Sequence, residues 1–168
     1  MNYSIKVALF TIILLLITVI TNGQIQYKNI RFKQLETTDG LSHNTVNTIT
    51  QDRDGFMWFG TRNGLCKYDG YSIKTYYHDN SDTTSICHDF IYKIYNDSIL
   101  NGIWISTDNG ICFYDINKTY FKKYTIPKNK RNDIKFLLTS TKELLATSSN
   151  GIYYFNKNKK RFLLLVQS

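Results

Sequence analysis

Trp58-Phe59-Gly60-Thr61-Arg62-Asn63-Gly64-Leu65-Cys66-Lys67-Tyr68-Asp69 returns 46 residues later as Trp104-Ile105-Ser106-Thr107-Asp108-Asn109-Gly110-Ile111-Cys112-Phe113-Tyr114-Asp115. It returns again 41 residues further on as Leu145-Ala146-Thr147-Ser148-Ser149-Asn150-Gly151-Ile152-Tyr153-Tyr154-Phe155-Asn156. Agreement in register across three stretches is an internal repeat, and a repeat bounds the fold before composition does. Asn-Gly stands at Asn63-Gly64, Asn109-Gly110 and Asn150-Gly151 between β-prone runs, which predicts three hairpins with type I′ turns. The strand before each turn carries Trp58, Trp104 or Leu145. The strand after it carries Leu65, Ile111 or Ile152, then Tyr68, Tyr114 or Phe155. Trp58 is expected to pack between adjacent sheets, because a large aromatic supplies most of the buried area available to so small a unit.

Working outward, each hairpin is preceded by apolar pairs: Val46 with Ile49, Ile91 with Ile94, Ile134 with Leu137. Polar turns separate these from the Trp strand, Asp52-Arg53-Asp54-Gly55 in the first repeat and Asn96 to Gly102 in the second. A fourth strand follows at Tyr71 to Tyr77, Thr119 to Tyr124 and Arg161 to Val166. Four short strands every ~40–46 residues is the period of a β-propeller blade. The expected fold is therefore all-β: blades of four antiparallel strands, about three of them, behind an N-terminal signal helix. The expected boundaries are residues 1–23 for a signal peptide, 24–43 for a lead-in, 44–78 for blade 1, 79–125 for blade 2 and 126–168 for a divergent blade 3. Ile30 to Leu35 alternates like a strand that would complete a last blade. Propellers close with roughly four to eight blades, so this chain is expected to be an interrupted part of a longer parent whose remaining blades are its first partners.

Composition agrees with a globular chain: 42% hydrophobic and 20% charged, with 13 Tyr, 10 Phe and one proline favouring strands. Asn2 to Lys6 carries one positive charge, Val7 to Ile20 none, and Thr21-Asn22-Gly23 is small or polar. That order is a secretory signal peptide cut after Gly23, and the apolar run falls short of the ~20 residues that span a bilayer. An uncleaved anchor is the alternative; either way the remainder is placed in the periplasm, with the membrane touched only through this segment. The net charge of +8 is uneven, with 12 Lys or Arg in residues 118–168 against Asp133 and Glu143. Export removes nucleic acid as a partner, and Lys-Asn-Lys clusters read as solvated hairpin tips. Three cysteines, Cys66, Cys87 and Cys112, are odd in number and widely spaced, so no disulfide framework is expected.

Asp39-Gly40-Leu41-Ser42-His43-Asn44-Thr45-Val46, Gln51 to Thr61, Gly64-Leu65 and Tyr68-Asp69-Gly70 together resemble the two-component regulator propeller. The likeness is strong in the first repeat, good in the second and weak in the third, where Leu145 replaces tryptophan. The resemblance implies the N-terminal periplasmic sensor part of a Bacteroidetes hybrid histidine kinase, signal transduction across a membrane, and the sensing of oligosaccharides. The kinase, receiver and DNA-binding parts of such a protein have no counterpart in these 168 residues, so this chain is expected not to be an enzyme. The alternative is a fragment of an exported propeller enzyme, a lyase or glycosidase acting on polysaccharides.

Candidate ligand residues come from register. His43-Asn44, His88-Asp89 and Arg131-Asn132 hold the same place ahead of successive innermost strands. Innermost strands line a propeller's channel, so these six residues would form part of a polar ring at one mouth, suited to sugar hydroxyls. The bland reading of the same residues is solvated turns. No cofactor and no metal are expected, since spacing from blade to blade exceeds coordination reach. Asp52 and Asp54 are read as solvated turn carboxylates, unsuited to the paired acid and base of a glycosidase.

Overall fold

The computed structural model describes residues 2–20, 32–124, 126, 134–139 and 143–167, with the side chains of 14–20 and 137–138 excepted. Two units result, Met1–Gln34 and Leu35–Ser168. In the first, Tyr3–Ile20 forms helix α1. No helix among the described residues is long and apolar enough to cross a membrane. Residues 32–36 carry no strand, so the described part of the expected closing strand is irregular; Ile30 and Arg31 lie outside the described residues.

The second unit holds three antiparallel four-stranded sheets, each a meander in chain order. Blade 1 is β1 (Val46–Gln51), β2 (Met57–Thr61), β3 (Gly64–Tyr68) and β4 (Ile73–Tyr76). Blade 2 is β5 (Ile91–Asp97), β6 (Gly102–Thr107), β7 (Gly110–Asp115) and β8 (Tyr120–Tyr124). Blade 3 is β9 (Lys135–Leu138), β10 (Leu144–Ser148), β11 (Gly151–Asn156) and β12 (Arg161–Val166). The blades form an open array with β1, β5 and β9 adjacent along the inner side.

Each central hairpin turns one residue earlier than an Asn-Gly type I′ turn predicts. Thr61 pairs with Gly64 and Thr107 with Gly110, leaving Arg62-Asn63 and Asp108-Asn109 as the loops. Positive φ falls on glycine alone, +113° at Gly64 and +102° at Gly110, whereas type I′ needs it at both central residues. The cause is a hydroxyl two residues before each asparagine. Thr61 Oγ1 accepts the Asn63 N–H at 2.9 Å, Thr107 Oγ1 that of Asn109 at 3.3 Å, and Ser148 Oγ that of Asn150 at 3.2 Å. This local bond satisfies the loop without left-handed asparagine.

Packing between blades repeats an aromatic quartet. Trp58, fully buried, has its ring 5.9 Å from Tyr76 of its own blade and 5.2 Å from Tyr114 of blade 2, with Phe121 4.8 Å from Tyr114. One blade on, Trp104 stands 5.2 Å from Tyr124, 4.7 Å from Phe155 and 5.6 Å from Phe162. Tyr68, the blade 1 equivalent of Tyr114 and Phe155, is only half-buried and meets Phe59 at 6.5 Å. It lies on the side of blade 1 that no described strand covers.

Behind each tryptophan sits a carboxylate. Trp58 Nε1–H donates to Asp52 Oδ2 at 2.8 Å, while Asp52 Oδ1 accepts the N–H groups of Asp54 (3.0 Å) and Phe56 (2.9 Å). Asp97 repeats this with Trp104 at 3.1 Å and with the N–H groups of Ile99 and Leu100. Asp52 is thus no solvated turn carboxylate: it is 6% exposed and fully engaged, because the indole behind the turn needs a buried acceptor. In blade 3 both partners change together. Thr139 occupies the Asp position, its hydroxyl accepting the Glu143 N–H at 3.0 Å, and the Leu145 side chain has no N–H to offer.

Candidate functional site

Two inner strands carry a bulge at the same place. Register shifts between Val46 and Thr48 and between Ile91 and Lys93, leaving Asn47 and Tyr92 as the extra residues. A bulge lets residues three apart face one side and turns the extra side chain elsewhere. It accounts for the apolar spacing Ile91 to Ile94, both buried against blade 1. Ile49, the equivalent of Ile94, is 55% exposed because nothing among the described residues covers that side of blade 1.

The re-aimed residues line a cleft of about 460 Å³ along the inner strands, walled by Asn47, Tyr92, Lys93, Ile134, Lys135 and Phe136. Asn47 Nδ2 donates to the Ile91 carbonyl at 2.7 Å, which ties β1 to β5. The Tyr92 hydroxyl donates to Asp108 Oδ1 at 2.8 Å, and its ring lies 4.9 Å from that of Phe90. Lys93 and Lys135 are exposed. The one ion pair among the described residues, Lys118 with Asp115 at 3.7 Å, involves neither. The cleft therefore offers an aromatic edge and two cations, a surface that can hold a polar, anionic chain.

At the hairpin end of the same strands stand the residues expected in the polar ring. His43 Nδ1 accepts the Thr45 N–H at 2.8 Å, and His88 Nδ1 accepts the Phe90 N–H at 3.0 Å. In each neutral ring the proton then sits on Nε2. Asn44 Oδ1 accepts the Thr37 N–H at 3.1 Å. Asp89 Oδ1 accepts the His78 N–H at 2.7 Å, and the Asp89 carbonyl takes the Gly64 N–H of blade 1, also at 2.7 Å. These four residues share one end of the array and each shapes the chain leading into an inner strand. Arg131 and Asn132 lie outside the described residues. No group of three or more His, Cys, Asp or Glu among the described residues is placed to hold a metal ion. Sequence reasoning missed Tyr92, Lys93 and Lys135; the signal was the three-residue apolar spacing, which a plain strand does not produce.

Residues 40–63 match the family described as two component regulator propeller. Over 61 residues, 36% of this chain and 4% of the relative, the chain is 46% identical to Histidine kinase P4 of Formosa agariphila. The extracellular domain of a hybrid two component system from B. thetaiotaomicron superposes with a TM-score of 0.71 at 30% identity, covering 79% of this chain and 20% of that one. The extracellular domain of a one component system from the same organism gives 0.68 at 22% identity over 85% of this chain and 19% of that one, a likeness of fold alone. The chain thus spans a fifth or less of each of these relatives. With residues 40–63 matched directly and the architecture reproduced in a 30% identical extracellular domain, the chain is an open array of blades similar to those of two-component regulator propellers.

Proposed function

We propose that this chain is the N-terminal part of a periplasmic, ligand-sensing propeller of a two-component signalling protein, and that it binds an oligosaccharide without transforming it. The observation that carries the reading is the inner cleft, where bulges turn Asn47 and Tyr92 beside Lys93 and Lys135. Sugars are held by convergent hydrogen bonds against an aromatic side chain, and two lysines without an ion-pair partner among the described residues favour acidic members of the class. His43 and His88 contribute by fixing the turns above the cleft and by presenting Nε2–H. Kinase activity is said of Histidine kinase P4, of which this chain matches 4%. Export is supported by the apolar run Val7 to Ile20 behind Lys6 and by likeness to domains described as extracellular.

Calorimetric titration of the purified chain with a panel of acidic and neutral oligosaccharides tests the ligand class. An acidic oligosaccharide is expected to bind, and Lys93→Ala or Tyr92→Ala to weaken it about tenfold, the scale of one hydrogen bond to a charged group. Binding that ignores both substitutions, or no binding across the panel, refutes the reading. Fusing residues 1–34 to a phosphatase active only outside the cytoplasm tests export separately: an inactive fusion refutes it.

A further inference from the structure

Ser42 in blade 1 and Cys87 in blade 2 hold one register, each directly before the histidine that leads into an inner strand. In blade 1 the Ser42 N–H donates to Cys66 Sγ at 3.3 Å, and the Cys66 thiol donates to Ser42 Oγ at 3.1 Å. A strap of chain brings Ser42 there: the Gly40 carbonyl accepts the hydroxyl of Thr75, the residue paired with Cys66 across β3 and β4, at 3.3 Å. Blade 2 is built the same way. The Thr84 carbonyl accepts the N–H of Phe121 on β8 at 2.9 Å, and the strap continues to Cys87. The equivalent of Cys66 is Cys112, so blade 2 places a second thiol where blade 1 has a hydroxyl. Cys87 and Cys112 are 3% and 0% exposed within one hydrophobic core. Burial, and then hydrogen bonding with the Cys87 sulfur, push the Cys112 thiol up.

We propose that Cys87 and Cys112 close a disulfide that pins the strap to blade 2, leaving Cys66 as a thiol. For the protein in its cell this rests on the export reading, since periplasmic chains meet oxidants that cytosolic ones do not. The oxidant is a disulfide-bearing thiol oxidase or, in solution, oxidised glutathione. One cysteine, as thiolate, attacks the oxidant's disulfide and forms a mixed disulfide; the second displaces the oxidant's remaining sulfur. The Cys87–Cys112 bond forms, two electrons and two protons pass to the oxidant, and it leaves as two thiols. The odd cysteine count, which argues against a framework, is met by Ser42: Cys66 faces a hydroxyl and is left over.

The test treats the full chain with oxidised glutathione, alkylates it in denaturant and maps the peptides. One alkylated thiol per chain is expected, at Cys66, with a peptide linking Cys87 to Cys112; dithiothreitol restores three. Cys66→Ser should keep the bridge. Cys87→Ser, which reproduces the Ser42–Cys66 arrangement, should leave two thiols and no bridge. Three thiols after oxidation overturn the proposal. So does a mixture of pairings, the pattern of an unfolded chain, in which Cys66 and Cys87, 21 residues apart, meet as readily as Cys87 and Cys112, 25 apart. A chain that bridges in glutathione but is recovered fully reduced from its cells speaks against export and leaves the pairing intact.

Discussion

Replacing Asp52 by Thr and Trp58 by Leu, singly and together, rebuilds in blade 1 the pair that blade 3 already uses at Thr139 and Leu145. Asp52→Thr keeps a hydroxyl able to accept the Phe56 N–H, as Thr139 does for Glu143. It removes the acceptor of a fully buried indole N–H, and a stranded buried donor costs about 1–3 kcal/mol. Trp58→Leu gives up the ring contacts with Tyr76 and Tyr114, a loss somewhat below the ~3–5 kcal/mol of a Trp→Ala change. It also strands Asp52 Oδ2 at a site 6% exposed, adding ~1–3 kcal/mol. In the double variant neither group is stranded. The two stranding penalties sum to about 2–6 kcal/mol, so the double should be more stable than the sum of the singles predicts by at least about 2 kcal/mol. Urea unfolding of the full chain, followed by far-UV circular dichroism with Trp104 as the remaining indole reporter, measures all four corners. Additivity within about 0.5 kcal/mol would refute the view that each blade selects its acid and its tryptophan as one unit.

Gly60→Ala should destabilise by ~1–3 kcal/mol through overpacking, since its Cβ would stand 2.6 Å from Ile91 Cγ2 and 2.6 Å from Thr48 Cγ2. An unchanged urea midpoint would show that blades 1 and 2 separate there without strain. Burial holds the Tyr124 phenol up at about 12 and raises Tyr76 further, Tyr76 also sharing a 3.2 Å hydrogen bond with Tyr114. A raised pKa in the fold favours the neutral phenol. Its contribution is therefore complete below ~10 and lost as pH climbs from there towards 12. Tyrosinate absorbance should show a late phase coincident with loss of the β-sheet signal; one ordinary transition for all 13 tyrosines would contradict the quartet packing.

The blades were legible because their signals are periodic. Asn-Gly recurs where a hairpin must turn, and a tryptophan recurs where sheets must fill the space between them. What stayed hidden depends on partners far apart in sequence or on backbone detail. Asp52 stands in a polar turn, and only the approach of Trp58 from behind turns it into a buried acceptor. The asparagines of the hairpins signal left-handed backbone, yet Thr61 and Thr107 satisfy them locally and hand the positive φ to glycine. His43 and His88 were visible as a repeated pair, but not their bonds to Thr45 and Phe90. The inner cleft stayed hidden because Val46 with Ile49 and Ile91 with Ile94 read only as apolar pairs of a plain strand, when each span contains a bulge.

Because every quartet draws on two blades, burial lags behind synthesis by more than a blade. Trp58 waits for Tyr114 and Phe121, the latter 63 residues downstream, and Trp104 waits for Phe155 and Phe162. At about 5–20 residues per second the wait for Phe121 is roughly 3–13 s. Throughout that interval the newest blade shows a tryptophan and the partner face of its own sheet to whatever surrounds it. The growing tip of such a protein is thus sticky at each step, and the cure for one blade's stickiness is always the blade that creates the next. A holdase acting on the first two blades would need to recognise only one motif, a tryptophan hairpin without its neighbour.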